Sequence, residues 1–521
     1  MVMHRKIRRS EAKEQDDILA FLAKPESHGV KTPVTRLDTH ISHIFLVGDR
    51  ALKLKRAVKL GFLDFSTPEM RRRACLAELR LNRRTAPVMY LELQSVHRAS
   101  DGSIGFHEGV PVDWLVVMRR FDDDALLEQV AERGEITRPL LSQLADKIAH
   151  FHSQLPPVFG KDSQASLRDI IEGNHKCMEA YENEIFARPD VEELLIKSEL
   201  LLEKLAPLLD HRDQTGHIRH CHGDLHLANI CIWNDVPTLF DCLEFNEQLA
   251  TIDVLYDIAF LLMDLWHRGL HSEANMLFNR YLDMSGEGAG IAAMPLFLSM
   301  RAAIRAHVTA LRSESETAAN RKARLVEKAN AYLLSAVKLL RTLPPRLIAI
   351  GGLSGTGKST LARAIAAKLG LPIGARLLST DVLRKRMFDV LPEEQLDEQA
   401  YGPEQGNQVY AILMAEITNA LASSWTVIAD GVFAKPEERQ KIAALAEDRN
   451  ISFTGFWLQA PINQLKARVD KRVGDASDAD HSVVEKQTRY DIGDLGNWNV
   501  IDSSLHPDDV ANTILSMLSD P

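Results

Sequence analysis

The chain has 521 residues, 45% hydrophobic and 26% charged, with a formal net charge of −10. That length calls for two or three domains, not one core, and the acidic balance gives no global attraction to nucleic acid or anionic membrane. Five scattered cysteines with no C-x-x-C pair exclude a disulfide framework and a zinc ribbon and fit a reducing cytoplasm.

The basic start, MVMHRKIRRS, runs into Glu11, Glu14, Asp16 and Asp17, not into an apolar stretch, so no secretory signal is expected. Residues 34–60 read as short strands, with a turn at Gly48-Asp49. Residues 68–84 read as a charged amphipathic helix opened by Pro68. WLVVMRRF at 114–121 reads as a buried strand with a polar exit, and 124–210 as mostly helical. Short strands and a loop return over 220–241, and helices over 250–340, the last at roughly 314–341. No uncharged apolar run is long enough to span a bilayer; the nearest, Ile258 to Trp266, contains Asp264. Pro344-Pro345 breaks the pattern. Beyond it strands and helices alternate, as in a parallel sheet. The expected division is an extension over 1–29, one domain over 30–343 and another over 346–521.

The first domain carries His222-Gly223-Asp224-Leu225-His226-Leu227-Ala228-Asn229, which matches the kinase pattern H-x-D-L-x-x-x-N. In that chemistry Asp224 orients an acceptor hydroxyl and takes its proton, while Asn229 ligates Mg²⁺. A hairpin turned at Asn234-Asp235 follows and ends at Asp241, where a kinase keeps its second metal-binding acid. A metal site made of His220, His222, Asp224 and His226 is the rival, but it leaves Asn229 and Asp241 without a role. The segment resembles the aminoglycoside phosphotransferase branch of the protein-kinase-like fold, which carries H-G-D in place of H-R-D. The resemblance implies two lobes. Lys53, in Arg50-Ala51-Leu52-Lys53, would touch the ATP phosphates and pair with Glu78. Lys55 is its rival, because strand alternation puts both on one face. Asp257 would brace the catalytic loop from below. Two departures stand out. No G-x-G-x-x-G lies between residues 28 and 50, so the turn Thr39–His43 would cover the phosphates. Asp241 is followed by Cys242-Leu243, not Phe-Gly, which fits the small-molecule branch.

The second domain carries Gly352-Leu353-Ser354-Gly355-Thr356-Gly357-Lys358-Ser359, a P-loop. Its glycines let backbone amides curl around phosphate, and the following helix turns its positive end to the anion. Gly352, Ser354, Gly355, Thr356, Gly357, Lys358, Ser359 and Thr360 are the expected ATP-binding set. Lys358 would reach the β- and γ-phosphates, and Ser359 would face Mg²⁺. Asp381 ends a strand beside that site as a candidate base, with Arg384 three residues on. Asp430 sits at a Walker-B-like position as a candidate metal residue. Arg468 and Arg472, four apart, share a helix face and would close over the transferring phosphoryl, with 474–478 as the mobile part of the lid. Residues 346–521 resemble the small P-loop kinases related to gluconate kinase, polynucleotide kinase and zeta toxin. That resemblance implies Asp381 as base and Arg384 as a substrate or phosphate ligand.

The expected fold is thus multidomain, α+β and α/β: a kinase-like two-lobed fold followed by a P-loop fold with a parallel sheet. The expected activity is transfer of the ATP γ-phosphoryl group, with Mg²⁺, to hydroxyls of small molecules at two sites. The alternatives are a catalytic P-loop domain beside a substrate-binding or regulatory pseudokinase, an ATP-gated binding module, and a polynucleotide 5′-kinase, to which the net charge lends no support.

Overall fold

The structure, a computed structural model, describes residues 15–60, 63–471 and 474–519. It divides into two compact units. The first holds the chain up to Gln143, Phe151–Phe159 and Gly216–Asp257; the second holds Leu144–His150, Gly160–Thr215 and the chain from Ile258 onward.

Within the first unit the alternating apolar residues of 34–60 pair as expected. β1 (Thr35–Asp38), β2 (Ser42–Val47) and β3 (Arg50–Lys55) join β4 (Tyr90–Arg98), β5 (Ile104–Gly105) and β6 (Val110–Arg119) in one antiparallel sheet of order β1-β2-β3-β6-β4-β5. Leu115 and Val117 face a core with Phe45, Leu52 and Leu54, while Val116 and Met118 pack with Cys75, Leu79 and Tyr90 on the other face. β4 lies outside the sequence expectation. Its register slips at Tyr90/Glu92 and at Val96/His97, and those bulges break the two-residue period that marks a strand. Across the sheet runs α1 (Pro68–Asn82), started by Pro68 and by the Thr67 hydroxyl, which accepts from Met70 N. Its buried face carries Arg71, Cys75, Glu78 and Asn82, so helical spacing alone puts an acid into the interior. Further on, β7 (Ile218–His220) pairs with β10 (Thr251–Asp253), a strand where helix was expected. Between them β8 (Ile230–Trp233) and β9 (Val236–Leu239) form the expected hairpin. Asn234 and Asp235 both take positive φ, 50° and 62°, as a tight hairpin turn of the right twist requires.

The second unit combines long helices with a parallel sheet. The last helix, expected over roughly 314–341, is Ala319–Leu339, and Met294–Ser315 precedes it. Glu316 breaks the run: its backbone is extended and its carboxylate accepts from Ala318 N. The helical stretch Glu287–Ser315 is long and apolar enough to cross a membrane by length and composition, although Arg301 and Arg305 interrupt it, so it is not the uncharged run that the sequence lacks. Most of its apolar window is buried, as in a core helix. The sheet has the order β12-β13-β11-β14-β15, built from β11 (Arg346–Gly352), β12 (Arg376–Ser379), β13 (Val427–Asp430), β14 (Ser452–Gln459) and β15 (Asn499–Asp502), all parallel. β12 is an edge, and an edge strand exposes unpaired backbone groups. Here α2 (His271–Ser285) supplies partners for them. Asn275 Nδ2 donates to the Ile373 and Ala375 carbonyls at 2.7 and 3.0 Å, Asn279 Nδ2 donates to Ala375 O at 3.1 Å, and Leu377 N donates to Asn279 Oδ1 at 2.8 Å. Arg376, buried, adds bonds to Asn279 Oδ1 and to Asp283.

Candidate active sites

The first cluster is built from side chains. β3 sends Lys53 and Lys55 to one side, and α1 presents Glu78 between them. Lys53 Nζ lies 2.8 Å from Glu78 Oε1 and 2.5 Å from Asp241 Oδ1. Lys55 Nζ lies 2.5 Å from Glu78 Oε2 and donates to Glu244 Oε1. Strand alternation left the two lysines equivalent; the fold separates them. Lys53 is the one that meets Asp241, while Lys55 is fully enclosed. Burial raises the Glu78 carboxyl, but the two ammonium groups more than reverse it, so its pKa is lowered. Glu244, also buried, is shifted the other way, because burial outweighs the lysines there.

The loop between β7 and β8 holds the H-G-D-L-x-x-x-N residues. Asn229 Nδ2 donates to Asp224 Oδ2 and to the Asp224 carbonyl, each at 2.9 Å. The Asp224 side chain is 42% exposed and that of Asp241 40%, so both acids reach solvent at an otherwise buried centre. Gly223 has φ +82°, and a Cβ there would lie 3.0 Å from Leu243 Cβ, so glycine at the middle of H-G-D is a backbone requirement. The brace expected from Asp257 is present: its Oδ1 accepts from Gly223 N at 2.8 Å and its Oδ2 from His222 N at 3.1 Å. His152, which the sequence did not single out, lies 3.1 Å from the same Oδ2. His222 is buried against the Phe240 carbonyl, and burial holds it below the ordinary imidazole range, so it supports the loop as a neutral group. Among the described residues the metal-type group is His152, Cys221 and Asp257, not the set of His220, His222, Asp224 and His226. Asp257 already accepts two backbone bonds there, which marks a structural node. Asp224, Asn229 and Asp241 offer oxygen donors, the kind that suits Mg²⁺.

The second cluster is built from backbone. Gly352, Gly355 and Gly357 take φ of 137°, 86° and 90°, and a Cβ on Gly355 would sit 2.6 Å from Leu465 O. The loop opens the helix α3 (Lys358–Ala366). Lys358 Nζ donates to Leu353 O at 3.1 Å, and Ser354 N donates to Gln487 Oε1 at 2.7 Å. A cleft of about 880 Å³ lies over the loop, with Ser359, Thr360, Asp381, Arg384, Asp430 and Arg468 on its walls. Asp430 ends β13, and its Oδ2 is buried with no hydrogen-bond partner among the described residues. An acid oxygen lacking a donor, in a cleft that Ser359 also lines, fits a divalent cation or its water. Asp381 lies in the first turn of α4 (Thr380–Met387), whose N-cap is Ser379, so it is not itself the cap. Burial and the neighbouring Asp430 raise its pKa against Lys358, Ser477 and Arg384. Arg384 Nη1 donates to Ala400 O, with its guanidinium 4.9 Å from the Tyr401 ring centre.

The helix α5 (Ile462–Asp470) carries Arg468 in its last turn. Arg472 itself lies outside the described residues. Arg468 is turned onto the P-loop domain: Nη2 donates to Ser503 O at 2.8 Å, and Nη1 lies 3.5 Å from Gly355 O. The segment expected to be mobile is tied by Asp478, which accepts from Lys385 Nζ at 2.6 Å, from Leu396 N at 3.0 Å and from the Tyr401 hydroxyl. Asp478, like Gln487 at the end of α6 (His481–Gln487), carries no motif that a sequence reading could have used.

One chain thus joins a phosphotransferase-type centre of side chains to a P-loop. Residues 90–295 match the phosphotransferase enzyme family, and residues 347–490 match an AAA domain family. The chain belongs to one family with the uncharacterised proteins Rv2004c of Mycobacterium tuberculosis and Mb2027c of Mycobacterium bovis. Each is 31% identical to it over 477 residues, which cover 88% of this chain and 90% of the relative. Among solved structures, a gluconokinase from Sinorhizobium meliloti is 21% identical, covering 34% of this chain and 94% of its own at a TM-score of 0.24. A choline/ethanolamine kinase family protein from Mesorhizobium loti is 14% identical, covering 62% of this chain and 99% of its own at a TM-score of 0.36.

Proposed function

We propose that the protein is an ATP- and Mg²⁺-dependent kinase with two sites, each transferring the γ-phosphoryl group to a hydroxyl of a small molecule. One parallel carries the reading: each cluster combines a lysine for phosphate, an acid for a cation and an acid for a hydroxyl. In the first these are Lys53, Asp241 and Asp224; in the second they are Lys358, Asp430 and Asp381. Asn229 joins Asp241 as a cation ligand, and Ser359 joins Asp430. Asp224 and Asp381 would each orient the acceptor hydroxyl and take its proton as its oxygen bonds to phosphorus. The lysines, Arg384 and Arg468 would offset charge on the phosphates. We also assign the protein to the cytoplasm, on the ground that all five cysteines are free, four of them buried.

The test is incubation of the full chain with a metabolite extract and labelled ATP, followed by mass spectrometry of the phosphorylated products. The same extract is given to the Asp224→Asn and Lys358→Ala proteins. Two-site chemistry predicts that each variant loses a different product. If Asp224→Asn keeps every product and Lys358→Ala loses all of them, only the P-loop domain is a kinase.

A further inference from the structure

The first cluster contains more charge than phosphate binding requires. Its members form an unbroken alternation: Asp241, Lys53, Glu78, Lys55, Glu244. Each oxygen of Glu78 is engaged by a different lysine, and each lysine reaches a second acid. The two ends differ. Asp241 is 40% exposed, whereas Lys55 and Glu244 are enclosed, at 0% and 4% of side-chain exposure. Lys55 and Glu244 therefore do not reach a nucleotide, yet they are wired to residues that would.

Resting on the kinase reading of this site, we infer that Lys55 and Glu244 are positioning residues that set how freely Asp241 can bind a divalent cation. Electrostatic competition couples them to it. Lys53 is shared between Glu78 and Asp241, and a cation must take Asp241 away from Lys53. How tightly Lys53 holds Asp241 depends on how much of Glu78 is left for it. That share depends on Lys55, which is itself divided between Glu78 and Glu244. With the Glu244 charge removed, Lys55 acts on Glu78 alone. Glu78 is drawn from Lys53, Lys53 leans on Asp241, and the cation is disfavoured. With Lys55 and Glu244 both replaced by apolar side chains, Glu78 returns wholly to Lys53 and Asp241 is released. Low-dielectric surroundings make such competition count, and a buried ion pair replaced as a pair by apolar groups is commonly tolerated.

The experiment uses the full chain carrying Lys358→Ala, so that nucleotide binding reports on this site. Mg²⁺ is titrated calorimetrically into protein mixed with a non-hydrolysable ATP analogue, and melting curves monitor the fold. Glu244→Gln is expected to raise the half-saturating Mg²⁺ about tenfold, the scale of a lost partner behind a metal ligand. Lys55→Met/Glu244→Met is expected to bring it back to the starting value or below. A purely structural role would weaken both variants alike, and that result, or an unchanged value in Glu244→Gln, overturns the inference. Should Glu244→Gln fail to fold, Lys55→Met alone is expected to tighten Mg²⁺ binding, and weakening there overturns the inference equally. If the Lys358→Ala parent binds no Mg²⁺–nucleotide at all, the kinase reading of this site falls first and takes the inference with it.

Discussion

The two clusters handle the same anionic chemistry with different materials. The P-loop cleft uses backbone: three glycines at positive φ shape its loop, and Lys358 adds a single charge. The phosphotransferase-type centre uses side chains: Lys53 is held at Asp241 by a buried network of acids and lysines. A backbone cradle depends on local conformation, so its signature is contiguous in sequence. A side-chain cradle depends on partners brought from afar; Lys53 and Asp241 are 188 residues apart in the chain. The first should be brittle to added bulk and the second to altered charge.

The largest expected effects test whether both clusters are catalytic. Lys358→Ala and Asp224→Asn should each lower the rate of their own phosphorylation about a thousandfold, leaving the other product unaffected, as product-resolved kinetics would report. Loss of both products in either variant would replace two independent sites with one.

Added bulk separates the clusters next. Gly355→Ala puts a Cβ 2.6 Å from a backbone carbonyl at a φ of +86°, whereas Gly223→Ala meets only the Leu243 and Ala250 atoms at 3.0 Å or more. Gly355→Ala should abolish nucleotide binding to the P-loop in a calorimetric titration. Gly223→Ala should leave that binding unchanged and cost about 1–2 kcal/mol of stability through its backbone strain. Equal losses of P-loop binding would erase the contrast.

The edge of the parallel sheet gives a smaller effect. Asn279→Ala strips partners from Leu377 N, Ala375 O and Arg376. A cost of about 1–3 kcal/mol follows from buried polar groups left unpaired, measurable by denaturant unfolding. Asn279→Asp, which keeps the acceptor and loses the donor, should cost less.

The smallest effect concerns pH. Asp381 has its pKa raised by burial and by Asp430. A raised acid binds its proton more tightly in the folded than in the unfolded state. Folding is therefore favoured most at low pH, and that advantage is lost as pH rises through the folded pKa. Asp381→Asn should melt slightly higher than the unmodified protein at neutral pH, with the gain vanishing below the ordinary aspartate value of 3.8. Phosphorylation at the P-loop site should be lost in the same variant. A lower melting temperature at neutral pH would show that Asp381 stabilises the cleft as a charged group.

The sequence by itself determined much of this protein, wherever short-range geometry decides. The P-loop, the Asp224-to-Asn229 spacing, the turn at Asn234-Asp235 and the strand end at Asp430 were all legible, because a turn or a loop is specified by neighbours within a few residues. Asp381, expected at a strand end, instead lies in the first turn of α4, because β12 stops at Ser379, the N-cap of that helix. Legibility failed where a pattern is locally broken or where partners are remote. β4 hid behind its bulges. Lys53 and Lys55 have the same local pattern and both meet Glu78, and only Asp241 and Glu244 distinguish them. Lys55 meets Glu244 across 189 residues, Ser354 meets Gln487 across 133 and Lys385 meets Asp478 across 93. Such contacts are selected by the packing of whole elements against one another. The tertiary structure alone decided which lysine faces Asp241, which asparagines cover the edge of β12 and which acid ties down the segment after α5.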